Sequence, residues 1–242
     1  MTRRTWLEWI GKATVISLGA DLLAACTRRL AHPVDASSAP DPCSAEAADS
    51  SLPFAPGDGN LDIYSGWPER TVDRQDLEGI LSSWTLTIDG LVDTEQVLSF
   101  ASLLCLERLD QVKDLHCVEG WSVLDVPWSG VHLRTLLDLA HPLPGATHAT
   151  FHTLGGRYNE SLPLEIALEP STLLAYGVGG ATLPLEHGFP LRLVVPRLYA
   201  YKSAKYVQRV EITDHAVEGY WVSAGYPYLG DVPADRLRPG KY

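Results

Sequence analysis

The sequence is poor in cysteine, and no two of its cysteines have the spacing of a paired metal or redox site. Four cysteines occur among 242 residues, namely Cys26, Cys43, Cys105 and Cys117. The absence of a C-x-x-C pair argues against a zinc ribbon and a thioredoxin-like site, and four cysteines are too few for a disulfide scaffold. A chain of this length buries a substantial core without such links. Each cysteine therefore needs its own explanation.

Clustered positive charge is also missing. The formal net charge is -11, and the longest basic run is the pair Arg28-Arg29. Nucleic acid is an unsuitable partner for such a chain, because binding to phosphates depends on clustered lysine and arginine. The acidic balance indicates a soluble surface and would suit a cationic docking partner.

The N-terminus lacks an apolar run long enough to cross a membrane, which needs about 20 predominantly apolar residues. Its weakly apolar segment, Ala13–Ala25, is short and interrupted by Asp21. Before it, Thr2–Leu7 (TRRTWL) resembles a twin-arginine export signal, and the ending Leu23–Cys26 (LAAC) resembles a lipobox. Residues 1–26 are thus predicted to be a lipoprotein export signal that leaves Cys26 acylated. The alternative is an amphipathic helix of a cytosolic protein, with Cys26 an ordinary buried thiol.

Residues 27–60 are rich in Ala, Ser, Pro, Asp and Gly and have few large apolar side chains. Such a segment buries too little surface to offset its ordering entropy, so it is predicted to be a flexible tether. Cys43 lies in this tether and is interpreted as incidental, with a regulatory disulfide as the alternative.

Residues 61–242 mix strand and helix patterns without βαβ regularity, which predicts a single strand-rich α+β domain. Strands are predicted at Trp84–Ile88, Gln111–Cys117, Thr147–Leu154, Pro190–Pro196 and Tyr206–Thr213. Helices are predicted at Phe100–Glu107, with Cys105 on the buried side, at Val131–Ala140, and after Ser161, whose hydroxyl would cap the first turn.

The segment around Cys117 (HCVEGWS) places a thiol where a predicted strand becomes a loop. By itself this cysteine could be a core residue, a nucleophile or a metal ligand. A cysteine hydrolase would need a paired histidine and an oxyanion site, and nothing in the sequence assigns them. The spacing of His148 and His152 puts both on one face of a predicted strand, where ordinary polar histidines are favoured over a zinc site because no H-E-x-x-H pattern exists.

Basic residues collect late in the domain, at Arg192, Arg197, Lys202 and Lys205. An arginine and a lysine that converge on one pocket would suit a phosphorylated ligand. A solvated strand edge explains the same residues equally well.

Several separated motifs together resemble the molybdopterin-binding oxidoreductase domain of the sulfite oxidase family. The resemblance covers about residues 84–228 and includes, in the family's order, Cys117–Ser122, Val126–Val131, Tyr158–Pro163, Leu174–Tyr176, Leu183–Gly188, Pro190–Pro196, Tyr201–Lys205, Glu218–Trp221 and Gly225-Tyr226. It is strongest to the bacterial exported branch, typified by the catalytic subunit of the periplasmic methionine-sulfoxide reductase. The resemblance implies the mixed fold of that family and a mononuclear molybdenum cofactor with one molybdopterin.

The resemblance also implies roles for individual residues. Cys117 would bind the molybdenum, and Glu119 would lie near its substrate face. Residues that match cofactor-binding positions are Asn60, Tyr64, Thr153, His187, Arg192, Ser203, Ala204 and Lys205. The chain departs from the exported branch at three kinds of position: His187 replaces an asparagine, Arg197 and Tyr206 replace tryptophans, and His116 replaces an arginine.

The implied reaction is a two-electron oxygen-atom transfer in the cell envelope that reduces a sulfoxide-type substrate. Its electrons would come from a membrane haem or quinol-linked subunit near the lipid anchor at Cys26. Two alternatives stay open at this point: a sulfite-oxidising enzyme, and a lipoprotein that keeps the fold as a binding module without a cofactor.

Overall fold

The computed structural model describes residues 62–69 and 83–242 of the chain. The predicted export signal, residues 1–26, and the predicted tether, residues 27–60, lie outside the described residues. The described part is a strand-rich α+β domain, as the sequence predicts. None of its helices is both long enough and apolar enough to cross a bilayer.

Short strands and helices alternate along the described residues. The strands are β1 (Thr85–Gly90), β2 (Gln96–Ser99), β3 (Leu109–His116), β4 (Ser122–His132), β5 (His148–Thr153), β6 (Asn159–Pro163), β7 (Leu173–Val178), β8 (Ala181–Thr182), β9 (Arg192–Val194) and β10 (Val207–Thr213). The α-helices are α1 (Phe100–Leu104), α2 (Leu133–Ala140), α3 (Leu164–Ala167) and α4 (Tyr220–Ser223). Single turns of 3-10 helix lie at Asp62–Gly66, Leu185–His187 and Ala200–Lys202.

The strands form two sheets. In the first, the order is β2-β1-β10-β5-β6, and β1 runs parallel to β10 while the other pairs are antiparallel. In the second, the order is β3-β4-β7-β8, and β9 pairs with β7 as well. The long hairpin of β3 and β4 carries Cys117 in its connection, so the second sheet sets the position of the thiol.

The burial pattern of the strands explains this arrangement. In β1, the alternate residues Leu86 and Ile88 are fully buried, as expected for a strand with one face on the core. Strand β7 is buried at every position because its two faces pack into different core clusters, Leu174 and Tyr176 into one and Leu173, Ala175 and Val178 into the other. Helix α2 buries Leu133, Leu136, Leu137 and Ala140 on one face.

Two predicted helix boundaries are wrong. Val131 and His132 belong to β4, which pairs with β7, and α2 begins only at Leu133. His132 is its cap, since its Nδ1 accepts a hydrogen bond from the backbone N–H of Arg134. Ser161 lies within β6 and caps no helix; α3 starts after Pro163 without a side-chain cap. The capping pattern gave a wrong helix start because Ser161 is part of β6, where it pairs with Thr150 of β5.

The helix predicted at Phe100–Glu107 ends earlier, at Leu104, and Ser99 caps it as expected by accepting from the Ser102 N–H. Cys105 therefore follows the helix and is half-buried rather than on a buried helical face. It is disulfide-bonded, whereas Cys117 carries a thiol. Cys43 lies outside the described residues.

Candidate active site

A cavity of about 440 Å³ opens beside the β3–β4 connection. Its wall collects residues from distant parts of the chain, and most of the predicted site residues are among them. Predicted site residues that line it are Cys117, Glu119, Thr153, His187, Arg192, Ser203, Ala204 and Lys205. Tyr64 does not line it but stacks on His187, with ring centroids 4.9 Å apart. Asn60 lies outside the described residues.

The thiol of Cys117 sits in a tight turn, which we call the Cys117 turn and which comprises residues 117–121. The backbone N–H of Cys117 donates to the carbonyl of Trp121 at 2.9 Å, and the N–H of Gly120 donates to the carbonyl of Cys117 at 3.1 Å. Gly120 has a φ of 100°, a conformation that side chains disfavour. The turn leaves the thiol buried but facing the cavity.

Glu119 lies next to the thiol. Its Oε2 is 3.9 Å from the Cys117 sulfur and accepts a hydrogen bond from the Trp121 indole N–H at 2.9 Å. The indole therefore orients the carboxylate, and both acidic groups line the same cavity. Such a pair can combine a soft metal ligand with a group that holds a proton.

Arg192, on β9, is the principal buried cation of the cavity. Its Nη1 donates to the carbonyl of His187 at 2.9 Å and its Nη2 to that of Ser203 at 3.4 Å. Its guanidinium also lies over the rings of Trp67 and Trp128, at 5.4 and 5.3 Å. Burial lowers its pKa to about 10.

Arg192 has no carboxylate partner in the described part of the chain, and its buried Nε has no hydrogen-bond acceptor there. A cation taken out of water without a counter-ion is costly. Because Arg192 lines the cavity, an anionic ligand bound there would supply the missing negative charge.

Lys205 extends this positive surface, and His187 adds an uncharged polar group to it; we call the surface formed by Arg192, His187 and Lys205 the cationic wall. Burial, with added repulsion from Arg192 and Lys205, lowers the pKa of His187 to about 4, so its imidazole is neutral at physiological pH. The Lys205 ammonium donates to the carbonyl of Glu186 at 2.8 Å. All three side chains line the cavity.

The loop from Ser203 to Lys205 is fixed by its own backbone and side-chain contacts. The Ser203 hydroxyl accepts from the Val195 N–H at 3.1 Å, and the Ala204 carbonyl accepts from the Leu193 N–H at 2.8 Å. Thr153, at the end of β5, donates its hydroxyl to the carbonyl of Tyr158 at 2.8 Å. These bonds hold the wall rigid without using the charged groups.

The other basic residues of the late cluster do not reach the cavity. Lys202 forms a fully buried ion pair with Glu160, and Arg197 bridges Glu169 and Asp231 at 2.7 and 2.8 Å. Of the four basic residues in the cluster, the ligand interpretation therefore fits only Arg192 and Lys205.

The histidines at 148 and 152 have ordinary polar partners. His148 bonds the Thr147 hydroxyl at 2.8 Å, and His152 pairs with Glu211 at 2.8 Å. Within residues 62–69 and 83–242, no three His, Cys, Asp or Glu side chains gather as a metal site. A metal at Cys117 would thus need further ligands from a bound organic group.

Sequence reasoning assigned no role to a group of aromatic residues that also line the cavity. They are Trp67, Tyr158, Tyr220, Trp221 and Tyr226. Tyr158 stacks on Tyr220 with centroids 5.6 Å apart, and Trp221 contacts Tyr226 at 5.1 Å. Four of them lie in motifs recognised in the sequence, but aromatic side chains fill cores more often than sites, so composition gave no signal.

Comparison with known proteins adds an independent finding. Residues 71–221 match the family described as oxidoreductase molybdopterin binding domain. The uncharacterized oxidoreductase YuiH of Bacillus subtilis is 38% identical over 151 residues, which are 62% of this chain and 76% of that protein. The protein-methionine-sulfoxide reductase catalytic subunit MsrP of Gluconobacter oxydans is 40% identical over 155 residues, 57% of this chain and 49% of that protein.

Among solved structures, the sulfane dehydrogenase SoxCD of Paracoccus pantotrophus is similar, with a TM-score of 0.53 and 27% identity. The similarity covers 57% of this chain and 40% of the SoxCD chain. The match therefore spans about three quarters of YuiH but only about half or less of the other two proteins.

Proposed function

Because the chain belongs to the molybdopterin-binding oxidoreductase family, we propose that it is an exported enzyme that reduces a sulfoxide by two-electron transfer of an oxygen atom. The family and the strand-rich fold inferred from the sequence are confirmed, and so is the molybdenum-molybdopterin cofactor of a molybdenum-dependent oxidoreductase. The substrate, the location and the roles of single residues are the proposal.

The residues that line the cavity fit this cofactor. A thiolate from Cys117 suits molybdenum, and the Arg192 guanidinium, which has no carboxylate partner among the described residues, suits an anionic phosphate on the cofactor. Lys205 adds a second positive charge to the same cavity, and neutral His187 and Thr153 offer polar contacts for the pterin. Ser203, Ala204 and Tyr64 shape the wall behind these groups.

One arrangement carries the proposal: a buried thiol and a buried guanidinium, which has no counter-ion among the described residues, line the same cavity. A core cysteine and a strand-edge arginine, the plain alternatives for these residues, would have no reason to share a cavity.

When bound, the cofactor supplies a metal centre that exchanges two electrons and an oxygen atom with the substrate. Reduction of a sulfoxide to a sulfide also consumes two protons and releases water. We assign Glu119 to hold one of these protons at Oε2, where the Trp121 indole N–H orients it. The two electrons come from a donor protein, for which we propose a membrane haem or quinol-linked subunit.

The aromatic residues of the cavity would bind the carbon skeleton of the substrate. Tyr220 and Trp221, on α4, present ring surface beside Tyr158 and Tyr226. Apolar walls with a few polar groups are typical of small-molecule sites, and they exclude water from the reacting atoms.

For the location, we propose export by residues 1–26, a lipid anchor at Cys26 and a tether over residues 27–60. The disulfide at Cys105 supports this location, because such bonds persist in oxidising compartments outside the cytoplasm. With Cys26 acylated and Cys117 kept as a thiol, Cys43 is the remaining candidate for its partner. Peptide mapping without reduction would find the Cys43 and Cys105 peptides linked; separate peptides would contradict this pairing.

The similarity to a sulfane dehydrogenase favours one second candidate, a sulfur-oxidising enzyme. An oxidised anion such as sulfite would be drawn to cations near the metal, and Arg157 is an exposed cation that lines the cavity. The other alternative, a cofactor-free binding module, disagrees with the family match and with the cavity that Cys117 and Arg192 share.

The test uses full-length protein from a host that makes and inserts the cofactor. We expect stoichiometric molybdenum and oxidation of a reduced viologen that depends on methionine sulfoxide. Cys117→Ser should keep the fold and lose molybdenum and turnover. Sulfite-dependent reduction of a cytochrome would support the second candidate instead, and protein without molybdenum would refute the enzyme.

A further inference from the structure

The Cys117 turn is held from outside the cavity by one side chain of the C-terminal segment, Arg236. We propose that Arg236 is a positioning residue that keeps the Cys117 thiol in place for the metal; this rests on the proposed role of Cys117. Arg236 lies beyond residues 71–221, the part of the chain that matches the family.

The contacts of Arg236 are concentrated on the backbone of the turn. Its Nη1 donates to the carbonyl of Cys117 at 3.4 Å. Its Nη2 lies 3.3 Å from the carbonyls of both Gly120 and Trp121 and 3.0 Å from the hydroxyl of Ser122. One guanidinium therefore reaches both ends of the turn.

The turn needs such support because three of its five residues are exposed. Val118, Glu119 and Gly120 are exposed, and exposed connections are the segments of a domain that open most readily. The planar guanidinium is preorganised for several acceptors at once, so it loses less entropy for each bond than a lysine would.

Arg236 is itself held in place. Its guanidinium lies over the Tyr199 ring at 5.5 Å. The segment that follows is attached to the same hairpin: Arg238 pairs with the buried carboxylate of Asp114, three residues before Cys117, and Lys241 pairs with Asp125 at 2.7 Å.

The backbone strengthens this attachment, since the Asp114 N–H donates to the carbonyl of Lys241 at 3.0 Å. The ammonium of Lys113 also donates to the carbonyl of Gly240 at 3.1 Å. The C-terminal segment thus begins with Arg236 at the Cys117 turn and runs back along β3, so its contacts with β3 help to hold Arg236 at the turn.

The experiment compares Arg236→Ala and Arg236→Lys with Arg134→Ala, which removes an exposed arginine of α2. Protein made without cofactor is alkylated, and modification of Cys117 is followed by mass spectrometry together with amide exchange in the turn. We expect Arg236→Ala to speed both by at least about tenfold, as the loss of one charge-assisted hydrogen bond implies. Arg236→Lys should be intermediate, and Arg134→Ala unchanged.

Molybdenum content after dialysis is the second measurement, and it should fall in the same order in protein made with cofactor. Wild-type alkylation and exchange in Arg236→Ala would overturn the proposal. If Arg236→Ala speeds amide exchange at Phe151, in the core of β5, as much as in the Cys117 turn, the proposal is also overturned, because Arg236 would then only stabilise the whole domain. If the alanine variant does not fold, the lysine variant carries the same test. None of these measurements requires turnover, so failure of the proposed reaction is seen separately.

Discussion

Two cations are buried in the part of the domain that the structure describes, and they differ in what balances their charge. Lys202 is fully buried and paired with the equally buried carboxylate of Glu160, and its ammonium also donates to the carbonyl of Ser161 at 3.0 Å. Arg192 is 3% exposed; in the described part of the chain its hydrogen-bond acceptors are carbonyls, and its guanidinium lies over two indole rings.

The difference separates a structural cation from a binding cation. The Lys202–Glu160 pair is balanced in charge, although Oε1 of Glu160 has no hydrogen-bond partner among the described residues, and it contributes a fixed link between Ala200–Lys202 and β6. A buried guanidinium without a counter-ion is an incomplete site that an incoming anion completes. Four changes would sharpen or break this comparison.

The largest effect is expected for Lys202→Met. It leaves the Glu160 carboxylate buried without a partner, so we expect the free energy of unfolding to fall by about 3–5 kcal/mol. Denaturant unfolding of the cofactor-free protein measures the loss. The double variant with Glu160→Gln should recover most of it, because neither charge then remains. If Lys202→Met alone were as stable as the wild type, the pair of Lys202 and Glu160 would not stabilise the fold.

Arg192→Met should weaken cofactor binding strongly and change the stability of the fold little. We expect the affinity for the cofactor to fall about a hundredfold, the loss implied by a charge-assisted contact to a phosphate. The molybdenum and pterin content of the purified protein measures this loss. The cofactor-free protein should change in stability by only about 1 kcal/mol, since the lost cation–π contacts are offset by removal of an uncompensated charge. If Arg192→Met lost as much stability as Lys202→Met, Arg192 would stabilise the fold rather than bind the cofactor.

The third expectation concerns pH and the cationic wall. The unfolded chain protonates His187 near pH 6.5, whereas in the folded protein its pKa is about 4. Stability at this site is therefore present above pH 6.5 and is lost as pH falls towards 4, by about 2 kcal/mol. His187→Asn should remove that loss when unfolding of the cofactor-free proteins is compared at pH 6.5 and 4.5. An equal pH dependence in both proteins would contradict the lowered pKa.

The smallest effect is expected for Arg197→Ala. Its guanidinium is about a third exposed and pairs with Glu169 and Asp231, so solvent screens both interactions. We expect a loss of about 0.5 kcal/mol and unchanged molybdenum content. Reduced molybdenum in this variant would show that the cationic wall extends further than Arg192, His187 and Lys205.

The sequence was most informative where chemistry depends on short motifs. Cys117, Arg192 and Lys205 were predicted from separate segments, and the structure brings all three to one cavity. Pattern reasoning failed at β4, which contains Pro127 and Gly130 and has no clean alternation. This strand lies between β3 and β7, so burial at Trp128 to Val131 comes from its neighbours and leaves no period in the sequence.

Other features were beyond prediction because they depend on long-range contacts. Val131 continues the apolar period of α2 and is buried either way, so only its pairing with Leu174 reveals a strand. Arg192 and Lys202 are both basic residues near tyrosines in the sequence, and nothing local distinguishes them. Only the position of Glu160 does so, 42 residues away from Lys202.

The bond from Arg236 to the Cys117 carbonyl joins residues 119 positions apart. During translation, the Cys117 turn leaves the ribosome long before the arginine that secures it. A nascent chain that stops before Arg236 would lack these hydrogen bonds, so its Cys117 turn would open more readily than in the finished domain. Cofactor loading should therefore be most efficient after synthesis has passed this point, which suits delivery of the metal to a finished domain rather than to an emerging one.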